Sequence, residues 1–350
     1  MKNLNSHTIT SEPVPAHDYP VLISDGLLMR AGELLREHSF GGRAAIITDD
    51  TVGALYCDML QKSLRDCGYQ SEVFSFPAGE RSKTLRIVEE LCNRMESFAR
   101  GDFVIALGGG VAGDLGGFVA ATYLRGLPLV QMPTTLLAQV DSAIGGKCGV
   151  NLAGGKNLLG AFYNPRLVII DPLLLQTLPE REYSNGMAEV IKYALVALPE
   201  LWGLLERGEV PEKEKMIADC CAAKLALAEA DPYDHGVRKI LNFGHTLGHC
   251  YEVMDAYCGV KHGEAVAAGM VQALLAGERL GVTQSGLTER LIAVLEKYKL
   301  PTRFVANDKG KLRKLLQKDK KQSESGLQVV LLEKLGKPLL RILTAEELIG

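Results

Sequence analysis

Four of the seven histidines in this sequence fall between residues 235 and 262: His235, His245, His249 and His262. Within Gly244-His245-Thr-Leu-Gly-His249 two imidazoles stand at i and i+4, which a helix places on one face. Paired imidazoles at that spacing are a common metal arrangement, completed by a more distant carboxylate or histidine. A third histidine arrives in His262-Gly-Glu264, and Glu189 in Ala188-Glu-Val-Ile-Lys192 offers a carboxylate. No glutamate follows His245, so the H-E-x-x-H pattern of a metalloprotease is absent. Two imidazoles and one carboxylate suffice for a catalytic zinc with an open position, which leaves one of His245 and His249 for acid–base or anion-binding work.

A second concentration of chemistry lies upstream. Gly108-Gly-Gly-Val-Ala-Gly113-Asp114 fits G-x-G-x-x-G between a strand-like run and a helix-like one, where backbone N–H groups can approach a pyrophosphate. At least two strand–helix units precede it, however, and Pro133-Thr-Thr135 stands where the dinucleotide fingerprint wants an acid, so a standard Rossmann placement is disfavoured. Two Gly-Gly-Lys units, ending at Lys147 and Lys156, each combine flexible backbone with an ammonium suited to phosphate or carboxylate oxygens. Neither has P-loop spacing. Arg125, Lys192, Lys224, Arg238, Lys320 and Lys321 recur beside these motifs. Each alone reads as a solvated charge; together they suggest an anion pocket.

The elements that must position these groups follow from periodicity. Apolar runs at Ala44–Thr48, Glu72–Phe76, Phe103–Leu107, Leu127–Met132 and Leu167–Asp171 alternate with helical stretches, which predicts a parallel sheet covered on both faces. After about residue 181 the pattern turns helical (Ala188–Leu198, Pro211–Ala230, His262–Leu280, Gly286–Lys297), with one late strand-like run at Leu327–Leu332. The expected plan is a polar lead-in at 1–17, an α/β nucleotide-binding, Rossmann-like domain at 18–180, and a mainly helical metal and substrate domain at 181–350.

Composition bounds the rest. Over 350 residues, 47% hydrophobic and 23% charged residues describe a globular chain with a real core. A formal charge of −3 gives no basic field for nucleic acid. Eight cysteines without a C-x-x-C pair, and no apolar signal-type or membrane-length run, lead to the expectation of a reduced, cytoplasmic protein with neither membrane nor nucleic-acid partner.

Several long stretches resemble the 3-dehydroquinate synthase family of sugar phosphate cyclases: Gly108–Gly126, Pro133-Thr-Thr-Leu-Leu137, Gly154–Tyr163, Ala188–Tyr193, Leu241-Asn-Phe-Gly-His245 and His262-Gly-Glu-Ala-Val266. The likeness runs in order from about Tyr19 to Lys321. It implies a lyase that converts 3-deoxy-D-arabino-heptulosonate 7-phosphate to 3-dehydroquinate and phosphate. The implied sequence is transient oxidation by NAD, phosphate β-elimination, re-reduction, ring opening and intramolecular aldol closure. It further implies bound NAD, zinc or cobalt, a phosphorylated sugar-acid substrate and a homodimer.

By the same resemblance the metal ligands are Glu189, His245 and His262. Substrate-binding and catalytic residues are Arg125, Asp141, Lys147, Lys156, Asn157, Lys192, Lys224, Arg238, Asn242, His249 and a lysine of the pair Lys320 and Lys321. Cofactor positions are Asp49, Glu80, Lys83, Gly110, Val111, Ala112, Gly113, Asp114, Thr134, Thr135, Lys147, Lys156, Leu174, Leu175, Gln176 and Thr177. The chain departs from the family pattern at Ala78, Ala143, Cys148, Ala194 and across Asp231-Pro-Tyr-Asp234, none of which removes an implied ligand or principal cation. The rivals are a cyclase of the inosose or valiolone type and, more distantly, a metal-dependent polyol dehydrogenase that releases NADH. The retained cations favour the substrate that carries a carboxylate.

Overall fold

A computed structural model describes residues 19–209, 212–255, 259–304, 309–320 and 327–350. The expected lead-in lies outside these residues. The first half comprises β1 (Val21–Ile23), α1 (Ala31–Glu37), β2 (Ala44–Asp49), α2 (Asp50–Asp66), β3 (Ser71–Phe76), α3 (Leu85–Arg94), β4 (Phe103–Gly108), α4 (Gly110–Thr122), β5 (Leu129–Pro133), β6 (Lys147–Leu152), β7 (Gly155–Phe162) and β8 (Leu167–Ile170). Then come α5 (Glu180–Val196), α6 (Pro199–Arg207), α7 (Lys213–Ala230), α8 (His245–Met254), α9 (His262–Arg279), α10 (Leu287–Lys297), α11 (Lys309–Lys320), β9 (Leu327–Lys334), β10 (Lys337–Leu343) and α12 (Ala345–Ile349).

Six strands form a parallel sheet in the order β1-β8-β5-β4-β2-β3. In β4 every residue is buried, because helices cover both faces and leave no polar side to alternate with. Phe103, Ile105 and Leu107 enter one apolar layer with Leu35, Leu60 and Leu64. Val104 and Ala106 point the other way, toward Leu115 and Val119 of α4. Gly116 lets that helix lie against the sheet: a Cβ there would sit 2.7 Å from the Ala106 Cβ. The expected α/β half and helical half are both present, and they share a core in which Leu136, Val140 and Ile170 pack with Tyr193, Trp202 and Phe243.

Where the structure departs from the expected elements, local propensity is the reason. The ribbon β6–β7 reads as turns because glycine, lysine and asparagine are poor strand formers and one side of β7 is open to solvent. Strand β1 is too short to show a period, and β10 hides because its partner β9 carries the apolar signal. Helix α5 starts at Glu180, earlier than the expected Ala188, since its Ser, Asn and Gly residues are held by packing that leaves Asn185–Val196 buried on all sides. Burial pushes the thiol of Cys57 up to about 11 and those of Cys148 and Cys221 to about 12, so these are inert packing groups.

Beyond β8, buried Asp171 accepts N–H bonds from Gly26 (3.0 Å), Leu28 (3.0 Å) and Leu173 (3.1 Å). It thereby fixes the Pro172–Thr177 turn that carries Leu174, Leu175, Gln176 and Thr177. Asp171→Ala leaves those donors without their acceptor and is expected to cost about 2 kcal/mol, measured as a lowered urea midpoint at unchanged m.

Candidate active site

Three helices bring one carboxylate and two imidazoles together. Glu189, fully buried on α5, points Oε1 at His245 Nε2 (3.7 Å) and His262 Nε2 (3.4 Å). Oxygen and nitrogen ligands at about 2.0–2.1 Å in a tetrahedral site stand about 3.4 Å apart, so these separations suit a single small cation. Glu189 Oε1 is buried without a hydrogen-bond partner among the described residues, and Oε2 pairs with the Lys192 ammonium. The donor set and the unsatisfied oxygen both fit a divalent metal.

Each imidazole is prepared for that role. His245 opens α8 after Gly244, whose φ is 79°, and its Nδ1 lies 3.1 Å from the Phe243 carbonyl oxygen. A carbonyl only accepts, so Nδ1 carries the proton and Nε2 keeps its lone pair. Burial drives this imidazole down to about 3, leaving it neutral. His262 opens α9 between Glu189 and Glu252, whose Oε1 is 3.5 Å from Nδ1. Burial alone would lower His262, but the two carboxylates facing its ring nitrogens hold it up at about 9. Positive charge is wanted at this spot, and a divalent ion supplies it equally well. Glu189 is held well below the usual carboxylate range: burial opposes this, but Lys192 and the imidazoles outweigh it.

The junction of α5 and α9 sets the Glu189–His262 distance. Asn185 Oδ1 accepts the Gly263 N–H at 2.6 Å, Lys261 pairs with Glu182 at 2.7 Å, and Arg181 grips Glu264 at 2.6 and 2.8 Å. A Cβ on Gly263 would lie 2.0 Å from the backbone carbonyl oxygen of Asn185. Gly263→Ala therefore pries α9 from α5; at about 1–3 kcal/mol for overpacking, zinc affinity should fall roughly tenfold or more in a chelator-competition titration.

A cationic cluster adjoins the trio. A π-helical turn at Ala138–Ser142 presents Asp141, which takes the Tyr193 hydroxyl at 2.5 Å and the Lys224 ammonium at 3.0 Å, with Lys192 at 4.0 Å. Burial would raise Asp141, but Lys224 and Lys192 hold it at about 2. Burial lowers Lys224, while Glu189 and Asp141 outweigh burial and raise Lys192. Arg238 is buried with its guanidinium on the carbonyls of Gly145 (3.0 Å) and Pro232 (3.2 Å), so part of its work is bracing the turn before Lys147.

The ribbon β6–β7 leans over this seam. Lys147 pairs with Asp234, and Lys156 reaches Glu252 at 2.9 Å and Glu80 at 3.7 Å. Asn157 accepts from Lys83 at 2.6 Å, and Lys83 also pairs with Asp114. At the sheet's C-terminal edge Gly110, Val111, Ala112 and Gly113 form the first turn of α4. Nearby, the Thr134 N–H donates to Gly108, Thr135 lies against Gly109, and Asp49 caps α2 through the Val52 N–H. Thr177 bonds the Tyr56 hydroxyl.

His249 is exposed at the rim, with its ring 5.5 Å from that of His245 and 6.3 Å from that of His262. Asn242 is exposed, and exposed Arg125 makes no hydrogen bond or ion pair among the described residues. Lys320 ends α11, and nothing is described of its side chain; Lys321 lies outside the described residues. Sequence reasoning missed Tyr193, Asn185, Glu252 and Asn151, whose amide donates to Glu80 at 2.8 Å while its oxygen accepts the Asn157 N–H at 2.9 Å. Only Glu252 left a signal, as i+7 from His245 and i+3 from His249 on one helical face.

Comparison with known proteins places this geometry in a family. Residues 73–185 match the profile for the 3-dehydroquinate synthase N-terminal region, and 186–322 that for its C-terminal region. A 3-dehydroquinate synthase from Streptococcus pneumoniae is 43% identical over 343 residues, covering 96% of this chain and 97% of the relative. Among solved structures, 2-epi-5-epi-valiolone synthase from Streptomyces hygroscopicus with NAD+ and Zn2+ superposes with TM-score 0.88 at 27% identity, covering 97% of each chain. A 2-deoxy-scyllo-inosose synthase complexed with carbaglucose-6-phosphate, NAD+ and Co2+ gives TM-score 0.84 at 26% identity, covering 94% of this chain and 95% of the other. An iron-containing alcohol dehydrogenase shares the fold alone, at TM-score 0.63 and 16% identity over 90% of this chain and 93% of that one. The chain belongs to the 3-dehydroquinate synthase family.

Proposed function

We propose that this chain converts 3-deoxy-D-arabino-heptulosonate 7-phosphate to 3-dehydroquinate and inorganic phosphate at the seam between its two halves. The observation that carries the reading is the convergence of Glu189, His245 and His262 beside buried Lys192 and Lys224. The 43% identity to a 3-dehydroquinate synthase over nearly the full length supports it. Held by those three residues, zinc or cobalt supplies Lewis acidity toward substrate oxygens. NAD+ supplies a reversible hydride acceptor, so the reaction has no net redox change.

The chain's own groups do the remaining work. Lys192 and Lys224 keep positive charge in a buried pocket, where it attracts an anionic substrate far more strongly than in water. Lys147 and Lys156, on the ribbon, compensate the charge of the departing phosphate. Asp141 fixes both buried ammoniums in place, and His249 at the rim serves acid–base or anion-binding work. The first turn of α4 offers N–H groups to a pyrophosphate, with Asp49, Glu80, Lys83, Asp114, Thr134, Thr135 and the Leu174–Thr177 turn around it. We assign the cofactor mainly to residues 18–180 and the metal and substrate mainly to 181–350, with Asp141, Lys147 and Lys156 reaching the substrate from the first half.

A homodimer is part of the proposal. Leu152, Leu158 and Phe162 leave apolar side chains exposed on the ribbon, and Arg125 is exposed and without a partner among the described residues; sedimentation should give twice the chain mass. We also place the protein in the cytoplasm, where its thiols stay reduced; no described helix is long and apolar enough to cross a membrane.

The decisive experiment incubates the protein with the heptulosonate phosphate, NAD+ and zinc, following phosphate and dehydroquinate together. Equal yields without accumulating NADH are expected; NADH release without phosphate would indicate a polyol dehydrogenase. Turnover of a sugar phosphate lacking the carboxylate, in preference to the heptulosonate, would indicate an inosose- or valiolone-type cyclase. Stripping the metal with a chelator is expected to abolish phosphate release, and added zinc or cobalt to restore it.

A further inference from the structure

Glu252 has no role in the reaction as laid out above, yet its side chain is 2% exposed and lies beside the metal-binding trio. Its Oε1 is 3.5 Å from His262 Nδ1 and 2.9 Å from Lys156 Nζ. Oε2 is buried with no hydrogen-bond partner among the described residues. A carboxylate buried this deeply is costly unless opposite charge and donors surround it. Here the surrounding groups come from two other elements, the first residue of α9 and the ribbon strand β7.

His262 stands between two carboxylates on opposite edges of its ring. Nε2 faces Glu189 at 3.4 Å and Nδ1 faces Glu252 at 3.5 Å. A neutral imidazole has one N–H and one lone pair. A carboxylate at Nδ1 draws the proton to that edge and leaves the Nε2 lone pair for an ion at Glu189, the way a carboxylate behind a ligating histidine fixes its tautomer and ring plane. Resting on the metal site proposed above, we infer that Glu252 is a positioning residue: it holds His262 with Nε2 aimed at Glu189.

A second grouping, His249, Glu252 and His262, also has ligand atoms within 4.8 Å of one another. The His262 atom facing Glu252 is Nδ1, and a neutral ring that ligates through Nδ1 keeps no lone pair on Nε2 for the first grouping. Burial favours the first, because Glu189 is fully enclosed while His249 is exposed.

The test is a zinc titration of metal-stripped, full-length protein against a chromophoric chelator, with circular dichroism to confirm the fold. Glu252→Ala is expected to weaken zinc binding roughly 10- to 100-fold. Glu252→Gln, whose amide oxygen still accepts from Nδ1–H, should recover part of that loss; it decides the matter if the alanine variant does not fold. His245→Ala should lose more than either, and His249→Ala should stay within about threefold of the parent. Zinc affinity within about twofold of the parent in both Glu252 variants, with His245→Ala impaired, overturns the inference and leaves the metal site standing. Loss in His249→Ala and Glu252→Ala with His245→Ala unaffected overturns it in favour of the second grouping. No zinc binding by the parent chain would instead refute the metal site itself.

Discussion

His245→Ala should lower kcat for phosphate release by ~10³-fold or more. Lewis-acid stabilisation of developing charge contributes several kcal/mol, and each 1.36 kcal/mol is about tenfold in rate. The substitution removes one of three converging donors and leaves Glu189 Oε1, buried and without a hydrogen-bond partner among the described residues, with His262 as the remaining imidazole beside it. Bound zinc should fall in parallel when measured by atomic spectroscopy on desalted protein. The fold should survive, because the ring is an N-terminal residue of α8 and the core beneath it is built from Leu247, Cys250 and Tyr251. Near-normal turnover by this variant would remove the basis for the site.

Asp141→Asn is expected to cost both activity and stability. The side chain keeps its shape but loses the charge that compensates Lys224 at 3.0 Å and Lys192 at 4.0 Å, both deeply buried. Removing one partner of a buried ion pair costs about 3 kcal/mol, which thermal unfolding will register as a clear fall in Tm. The loss of kcat should reach ~10²-fold on the proposed role of these cations, since Lys224 loses its partner and Lys192 keeps only Glu189. The pH dependence follows from the sign of the shift. Asp141 is held at about 2, below its unfolded value, so its contribution is complete above pH ~4 and disappears as pH falls through about 2. Acid titration of stability in the variant should lack that component. An unchanged acid limb would mean Asp141 is not paired in solution.

Much of this organisation is legible in the sequence, and the reasons differ by residue. The parallel sheet reads clearly because β2, β4, β5 and β8 are buried on both faces and made of continuous apolar runs. The i, i+4 spacing of His245 and His249 points to a metal, but spacing alone leaves open which histidine ligates. The structure brings His245 Nε2 toward Glu189 and leaves His249 at the rim. Glu252 went unread because a glutamate on a helix is ordinarily solvated; only the packing of α9 and the ribbon encloses it. Asn151 and Asn157 look like turn residues in a glycine-rich stretch, and their work in the ribbon depends on Glu80 and Lys83, distant in sequence. Tyr193 reads as core, which it is, but its hydroxyl ends on Asp141.

The ribbon β6–β7 has one more consequence. It is encoded with the sheet, yet two of its ammoniums end on carboxylates of the helical half, Lys147 on Asp234 and Lys156 on Glu252. A chimera that splices residues 1–180 of one relative onto 181–350 of another would therefore separate lysines from their acidic counterparts. Such hybrids can fold and still assemble mismatched catalytic halves, and a productive crossover would have to transplant the ribbon together with the Asp234 loop and α8 rather than cut at the visible change from strands to helices.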